Sequence, residues 1–507
     1  MNWLSRLIDS LDDAINPIVV KELRQALQGR FITGTYIIFL VFQILVLGFT
    51  VLTDLPKARD VPIGRDVFQA LFYVLLAACV LIIPVNASQR MAKERSETDL
   101  DLYYITTLSP GSIILGKWAA ALIIAFVLYS SSMPFLAFTY LLRGIDLPTI
   151  FFILVSGFVC VVVATLLGIF VACLPTTMAF RKIVDIGAII FLLYFFGGSI
   201  LFFEETIRKG FGFSMISKSY LELATVVIAY LFFGLRILYL FCVAFISPPN
   251  SNKALAIRKN ITWVWFISFA ISLGIVLSSR EDFPLSVWVF CTTALLTVGF
   301  PAAVSEREEW GLRIRRTIPT TFLGRVKSYI FFSGWGGGLL WMLSLFSLTF
   351  LFNFLSELLL DSFYKGKFLS VLFSKNAQIF SSWLYFILAY SLFTNFIRTK
   401  FLKSYFPKSI TWVLVLFLIA FFCITPLLAS YLIFGSQIPE TNFFNPFLIQ
   451  DYQWGDSVRF FGFIFAIISL IMNIPLLIEN FSRFKPAPIE ALEKLANSNS
   501  QNIRNND

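Results

Sequence analysis

Long apolar stretches recur along the whole chain, each ended by a short charged or Pro/Gly-bearing segment. A helix needs about 20 mostly apolar residues to cross the hydrocarbon of a bilayer. Backbone groups in lipid must pair internally, which makes helices the natural reading of such runs. The pattern predicts spans near 31–53, 66–87, 114–142, 150–173, 185–204, 220–246, 261–279, 284–304, 329–352, 377–397, 409–434 and 458–478. Twelve spans put both termini on one side. The N-terminus and the loops after even-numbered spans hold 27 of the 40 Lys and Arg; the loops after odd-numbered spans hold 12. Cationic loops stay in the cytoplasm, so both termini are expected there. Compact clusters carry the bias: Arg90, Lys93 and Arg95; Arg181 and Lys182; Arg307, Arg313, Arg315 and Arg316; Arg398, Lys400 and Lys403.

The segment before the first span has a different pattern. Asn16 suits a helix N-cap and Pro17 the first helical position. Val20, Leu23 and Leu27 then fall on one face, with Lys21, Glu22, Arg24 and Gln25 around the other. This predicts an amphipathic helix at the inner membrane surface. The first 30 residues show no signal-peptide pattern, because charges are interspersed throughout.

Two loops resemble one another. Glu94–Lys117 reads ERSETDLDLYYITTLSPGSIILGK and Glu306–Lys327 reads EREEWGLRIRRTIPTTFLGRVK. Both open with Glu-Arg after an apolar span (Glu94-Arg95 and Glu306-Arg307). Each then places an apolar pair (Leu100 and Leu102, Leu312 and Ile314) and a Thr-apolar pair (Thr107-Leu108, Thr317-Ile318). A turn at Pro110 or Pro319 follows, then Lys117 or Lys327 at the mouth of the next span. Six spans precede residue 256 and six follow, which predicts an internal duplication. The apolar ridge inside a charged frame suits a loop that docks on a soluble partner.

Composition adds the class and removes several chemistries. Hydrophobic residues make up 58% of the chain and charged ones only 14%, too little charge to cover a soluble protein of 507 residues. A net charge of +10 fits cytoplasmic loops against anionic lipid rather than nucleic acid. The chain has no His, which excludes imidazole metal sites and His acid–base chemistry. The six Cys lie inside apolar runs without a CxxC pair, as small buried hydrophobes do.

These features resemble the type-2 ABC exporter permeases. The resemblance rests on NPIVVKELRQALQGRF, on ERSETDLDLYYITTLSPGSIILGKW, on ISPPNSNKALAIR after the sixth span, and on the weaker loop from Glu306. These stretches cover roughly a sixth of the chain, and the span pattern extends the match. The resemblance implies an all-α polytopic membrane protein of about 12 transmembrane helices, arranged as two repeated six-helix bundles with an N-terminal amphipathic interfacial helix. Residues 1–30 form the connecting helix, with Asn16, Pro17, Lys21, Glu22 and Arg24. Residues 31–256 and 257–485 form the permease halves, and 486–507 a partly disordered cytoplasmic tail. Glu94, Arg95, Glu97, Leu100, Leu102, Thr107, Pro110 and Lys117 would form one ATPase-coupling loop. Glu306, Arg307, Leu312, Ile314, Pro319 and Lys327 would form a second, degenerate one, since Trp310-Gly311 stand where the first has Thr98-Asp99. The implied function is the permease subunit of an ATP-driven exporter in a bacterial-type inner membrane. It would bind no cofactor itself, with ATP hydrolysed by a pair of separate ABC ATPase subunits. Its other partners would be membrane lipid and an export substrate that the sequence leaves unspecified. Segments 205–219 and 435–457 would be the extracellular elements.

Other motifs point to packing rather than chemistry. GSIILGK at Gly111–Lys117 mimics a P-loop, but Trp118 follows and no strand precedes it. GWGGG at Gly334–Gly338 and the Gly197-Gly198 pair allow close helix approach. Arg236 is a costly intramembrane charge that can snorkel to the inner interface. Mid-span carboxylates are scarce, which weighs against an ion-coupled secondary transporter. A non-transporting membrane anchor is the remaining alternative.

Overall fold

A computed structural model describes residues 16–54, 64–96, 109–142, 145–174, 178–210, 218–248, 251–279, 283–308, 310–364, 375–434, 444–446 and 455–487. Among these residues the secondary structure is entirely helical. Among the described residues eleven helices are long and apolar enough to cross a membrane, and Thr411–Thr425 is a further apolar helical stretch. The chain divides into two compact units, Met1–Pro248 and Pro249–Asp507.

The first unit opens with α1 (Pro17–Gln28), capped by Asn16, whose Oδ1 accepts from Ile18 N at 3.0 Å. Then come α2 (Arg30–Asp54), α3 (Gly64–Ala77), a π-helical turn (Ala78–Ile82) and α4 (Ile83–Ser96). The π turn has a local cause. Pro84 has no N–H to continue the α ladder, and its ring would press on the carbonyl four residues back; the wider turn relieves this. It closes with Ile83 N–H donating to Ala78 O. The unit continues with α5 (Pro110–Leu141), α6 (Leu147–Cys173), α7 (Met178–Lys209) and α8 (Lys218–Ile246). Ser109 caps α5 and Asp146 caps α6. The core lies between α3, α5, α6 and α7. Phe68 stacks on Phe72 at 6.0 Å, and Phe203 meets Phe72 edge-on at 5.0 Å. Gly157 admits Phe72: a Cβ there would stand 2.9 Å from its ring.

The second unit contains α9 (Lys253–Ser279), α10 (Phe283–Ser305), the single turn α11 (Leu312–Arg315), α12 (Phe322–Phe331), α13 (Trp335–Tyr364), α14 (Lys375–Lys400), a 3-10 turn (Lys408–Ile410), α15 (Thr411–Phe434) and α16 (Gly455–Arg483). Helices α14 and α16 pack closely. A polar clamp fixes them: Asn395 donates to Asn473 Oδ1 at 2.9 Å, and Asn473 donates to Leu392 O at 2.8 Å. Tyr390 and Phe386 fill the surrounding core.

Large apolar side chains stand exposed along the long helices, among them Ile186, Tyr194 and Leu201 on α7 and Phe417 and Leu432 on α15. Exposed apolar surface on this scale needs a nonaqueous cover, and with the span lengths it marks a multi-pass membrane protein.

Two expectations change. The span predicted at 329–352 begins instead at Trp335, and the residues before it form the separate helix α12. The chain is extended at Phe332, and Gly334 has φ +144°, a conformation that disfavours any side chain. On α1, Glu22, expected on the polar face, is buried instead, while the apolar face expected toward the membrane stays open. Ile18, Val19, Glu22 and Ala26 are buried, while Val20 and Leu27 are exposed. The helix is apolar on two sides, and a buried ion pair selects which side faces the protein.

Candidate functional site

Sequence reading assigned Glu22, Glu94 and Lys117 to two separate surface elements. The structure brings them together inside the first unit. Lys117 is the hub. Its ammonium donates to Glu22 Oε1 and lies 2.7 Å from Glu94 Oε2. Lys21 Nζ stands 3.4 Å from Glu94 Oε1, and Arg90 Nη1 stands 3.8 Å from Glu22 Oε2. Arg90 also donates to the Glu22 backbone carbonyl at 3.3 Å. The Lys117 and Glu22 side chains are only 5% and 6% exposed. An ionised group at that depth is tolerated only when paired. These pairs therefore fasten α1 to α4 and α5.

Hydrogen bonds and a close approach complete the joint. Asn16 Nδ2 donates to Ser112 O at 2.7 Å and to its Oγ at 3.0 Å. A Cβ at Gly116 would stand 2.8 Å from Ile18 Cβ, so the glycine lets α1 lie against α5. Tyr239 donates to Gly111 O at 3.0 Å and ties α8 to the same end. The P-loop-like GSIILGK is thus a helical docking surface for α1, with its Lys consumed by carboxylates.

Pro110 sits at the start of α5 as expected. Arg24 is exposed. Glu97, Leu100, Leu102 and Thr107 lie outside the described residues, as does the Arg95 side chain.

In the second unit an Arg takes the hub position. Arg258, 3% exposed in its side chain, pairs with Glu306 Oε2. Its Nη1 donates to Ile330 O at 2.6 Å and Phe332 O at 2.8 Å, and its Nη2 to Gly334 O at 3.3 Å. Glu306 Oε2 accepts from Gly334 N at 2.9 Å. Asn252 Oδ1 accepts from Ser333 N at 3.2 Å. The guanidinium fork thus holds the non-helical link between α12 and α13. Burial raises the Glu306 carboxyl above its ordinary value, with Arg258 pulling against it. Nearby, Lys408 pairs with Glu308 at 2.6 Å and lies 5.0 Å over the Trp335 ring. Burial lowers the Lys408 ammonium, opposed by Glu308.

The loop from Glu306 to Lys327 has an anchored side and an open side. Ile314 and Ile318 are buried with Tyr329, Phe332 and Phe484. Trp310 donates to Ser333 O at 2.7 Å, and Tyr329 to Asn480 Oδ1 at 2.6 Å. Burial pushes the Tyr329 phenol up. On the open side Leu312 is 50% exposed, Phe322 69% and Leu323 81%. Arg307, Arg313, Arg316 and Lys327 are exposed beside them, and Pro319 is half-buried in the turn between α11 and α12. Ile314, expected on the docking ridge, belongs to the core instead.

Arg236 lies on an exposed face of α8. Gly336 and Gly337 pack against Tyr329, and Gly338 against Arg258 and Ala303, whereas Gly197 and Gly198 face open space.

Sequence reasoning missed Arg258 and Asn252. A signal was present: Asn16 is followed six residues on by Glu22, and Asn252 six residues on by Arg258. Asn16 caps the helix that follows it, Asn252 instead holds Ser333 in the link between α12 and α13, and in both cases the charge six residues on is buried. No family model, no curated protein and no solved structure matches this chain.

Proposed function

We propose that the chain is the transmembrane permease subunit of an ATP-driven exporter, working with separate ABC ATPase subunits. The observation that carries this reading is the loop between α10 and α13. Leu312, Phe322 and Leu323 form an exposed apolar ridge among exposed cations, while Ile314 and Ile318 hold its base in the core. A ridge held rigidly on one side and open on the other can transmit force between a soluble motor and the spans it is rooted in. In this reading α15 (Thr411–Phe434) completes twelve spans. The similar loops opening at Glu94-Arg95 and Glu306-Arg307 support descent of the two units from one six-span ancestor. Both termini face the cytoplasm of a bacterial-type inner membrane, and ATP acts through the partner. The exported substrate is left open.

The test must avoid residues that hold the fold. Glu94 is paired with Lys117, so charge reversal there would damage the α1 joint itself. Leu312→Asp with Leu323→Asp acts on exposed positions. Co-expressed with each ABC ATPase of its own genome, the native chain should co-purify with one of them and the double variant should not. Equal recovery of the ATPase with both proteins would refute the docking role. Cysteines placed at Lys403 and Gly210 should be labelled from the cytoplasmic and the outer side respectively; the reverse pattern would invert the topology.

A further inference from the structure

The first unit contains a cavity of about 440 Å³ between α1, α2, the π turn with α4, and α5. This lies within the range of about 300–1,000 Å³ seen for small-ligand sites. Its lining is graded. Glu22, Asn86, Arg90 and Lys117 line one end, and Ile82, Ile124, Val127 and Leu128 belong to the apolar remainder. From Lys117 to Leu128 the wall follows α5 for eleven residues, about 16 Å at the helical rise. That is roughly half the ~30 Å hydrocarbon core, or one leaflet. The gradient therefore runs along the spans, charged at the α1 end and apolar toward mid-membrane.

Two features shape the space. The π turn contributes Ala78 and Ile82 to the wall, and such turns recur at functional sites. On another side of the same helix, α6 presses close: a Cβ at Gly168 would stand 2.6 Å from Pro84 O. Ile123 and Val127 line the cavity while 40% and 48% exposed, so the space opens sideways into the region that lipid occupies.

We infer that this cavity is a binding site for an anionic glycerophospholipid of the adjoining leaflet, with one acyl chain along α5 and the phosphate at Asn86 and Arg90. Asn86 and Arg90 are one turn apart on the same helix face. Arg90 is 28% exposed in its side chain, and a guanidinium fork matches phosphate geometry. Lys21, Arg90 and Lys117 outnumber the carboxylates Glu22 and Glu94 by one, which favours an anionic over a neutral headgroup. The site needs only membrane insertion and does not depend on the permease assignment.

The test uses the full chain in nanodiscs with trace phosphatidylglycerol or phosphatidylcholine, each carrying a terminal diazirine on one acyl chain. After irradiation, labelled peptides are read by mass spectrometry. Phosphatidylglycerol should label 78–83 and 120–128 above the level on the exposed face of α7. Arg90→Gln should lower that yield about tenfold, the loss of one charge-assisted hydrogen bond. Ile124→Trp and, from the opposite wall, Thr35→Trp should each abolish labelling at 78–83 while labelling of α7 persists. Equal yields from the two headgroups, or labelling of 78–83 that survives both Trp variants, would overturn the site.

Discussion

The two units solve one problem with different chemistry. Each must hold a membrane-surface element against the start of a long span. In the first, the element is a regular helix, and the joint is made between side chains: Lys117 sits between Glu22 and Glu94. In the second, the element is an irregular link, and Arg258 reaches backbone carbonyls of Ile330, Phe332 and Gly334 as well as Glu306. A helix satisfies most of its own backbone, so its fastening rests mainly on charge pairs, with Arg90 and Asn16 adding single bonds to carbonyls. An irregular link leaves carbonyls over, and a five-donor fork can take several at once. A Lys hub suffices for the first case and not for the second.

The sharpest way to break this comparison is to alter each hub. Arg258→Lys keeps the charge but removes the fork, and should destabilise the second unit by about 3 kcal/mol, as carbonyls and part of the carboxylate lose their partner. Lys117→Met removes the charge between two acids, and should cost about 3–5 kcal/mol for the same reason that any broken buried pair does. Adding Glu22→Gln should recover part of that loss, because it removes a buried charge left with only Arg90 at 3.8 Å. No such single rescue exists for Arg258, whose partners are mostly backbone. Thermal unfolding of the purified variants in detergent reads all three. Full rescue of Arg258→Met by Glu306→Gln would show that the second joint, too, rests on charge alone.

A smaller effect tests the close approach that each joint requires. Gly116→Ala places a methyl 2.8 Å from Ile18 Cβ, and Gly338→Ala places one 2.8 Å from the Arg258 guanidinium. Each should destabilise by about 1–2 kcal/mol, overpacking outweighing the better helix propensity. Gly197→Ala meets nothing within 4 Å and should stabilise by up to about 1 kcal/mol. Opposite signs at Gly116 and Gly197, read in the same unfolding assay, would separate packing glycines from idle ones.

Much of the fold is legible because apolar run length is a strong signal: every predicted span overlaps a helix, although the helical segments matching 66–87, 185–204, 261–279 and 329–352 each run seven or more residues beyond one predicted boundary. The errors have physical causes. The start of the ninth span was misplaced because Tyr329–Phe332 is apolar enough to pass for lipid-facing helix, and only the Arg258 contacts explain why it turns away. The burial of Glu22 on α1 is not legible locally, because its cation lies 95 residues on. Charged residues beside a membrane read equally well as docking groups and as internal fasteners. Glu94 and Lys117 read as groups of a docking loop, and the structure pairs them with each other and Lys117 also with Glu22.

That ambiguity makes the exposed ridge the most telling place to look, although changes there should barely alter stability. Leu323→Asp replaces an 81% exposed side chain and should change stability by no more than about 0.5 kcal/mol. Ile314→Asp, two residues beyond Leu312 but buried with Tyr329 and Phe484, should unfold the local cluster and cost several kcal/mol. If the ridge docks a soluble motor, Leu323→Asp loses the partner while its melting curve stays native. Ile314→Asp loses both together. A chain that keeps its ATPase after Leu323→Asp, with Leu312→Asp added, would mean that this apolar surface is covered by lipid. The loop would then be one more fastener of the kind already found around Lys117 and Arg258.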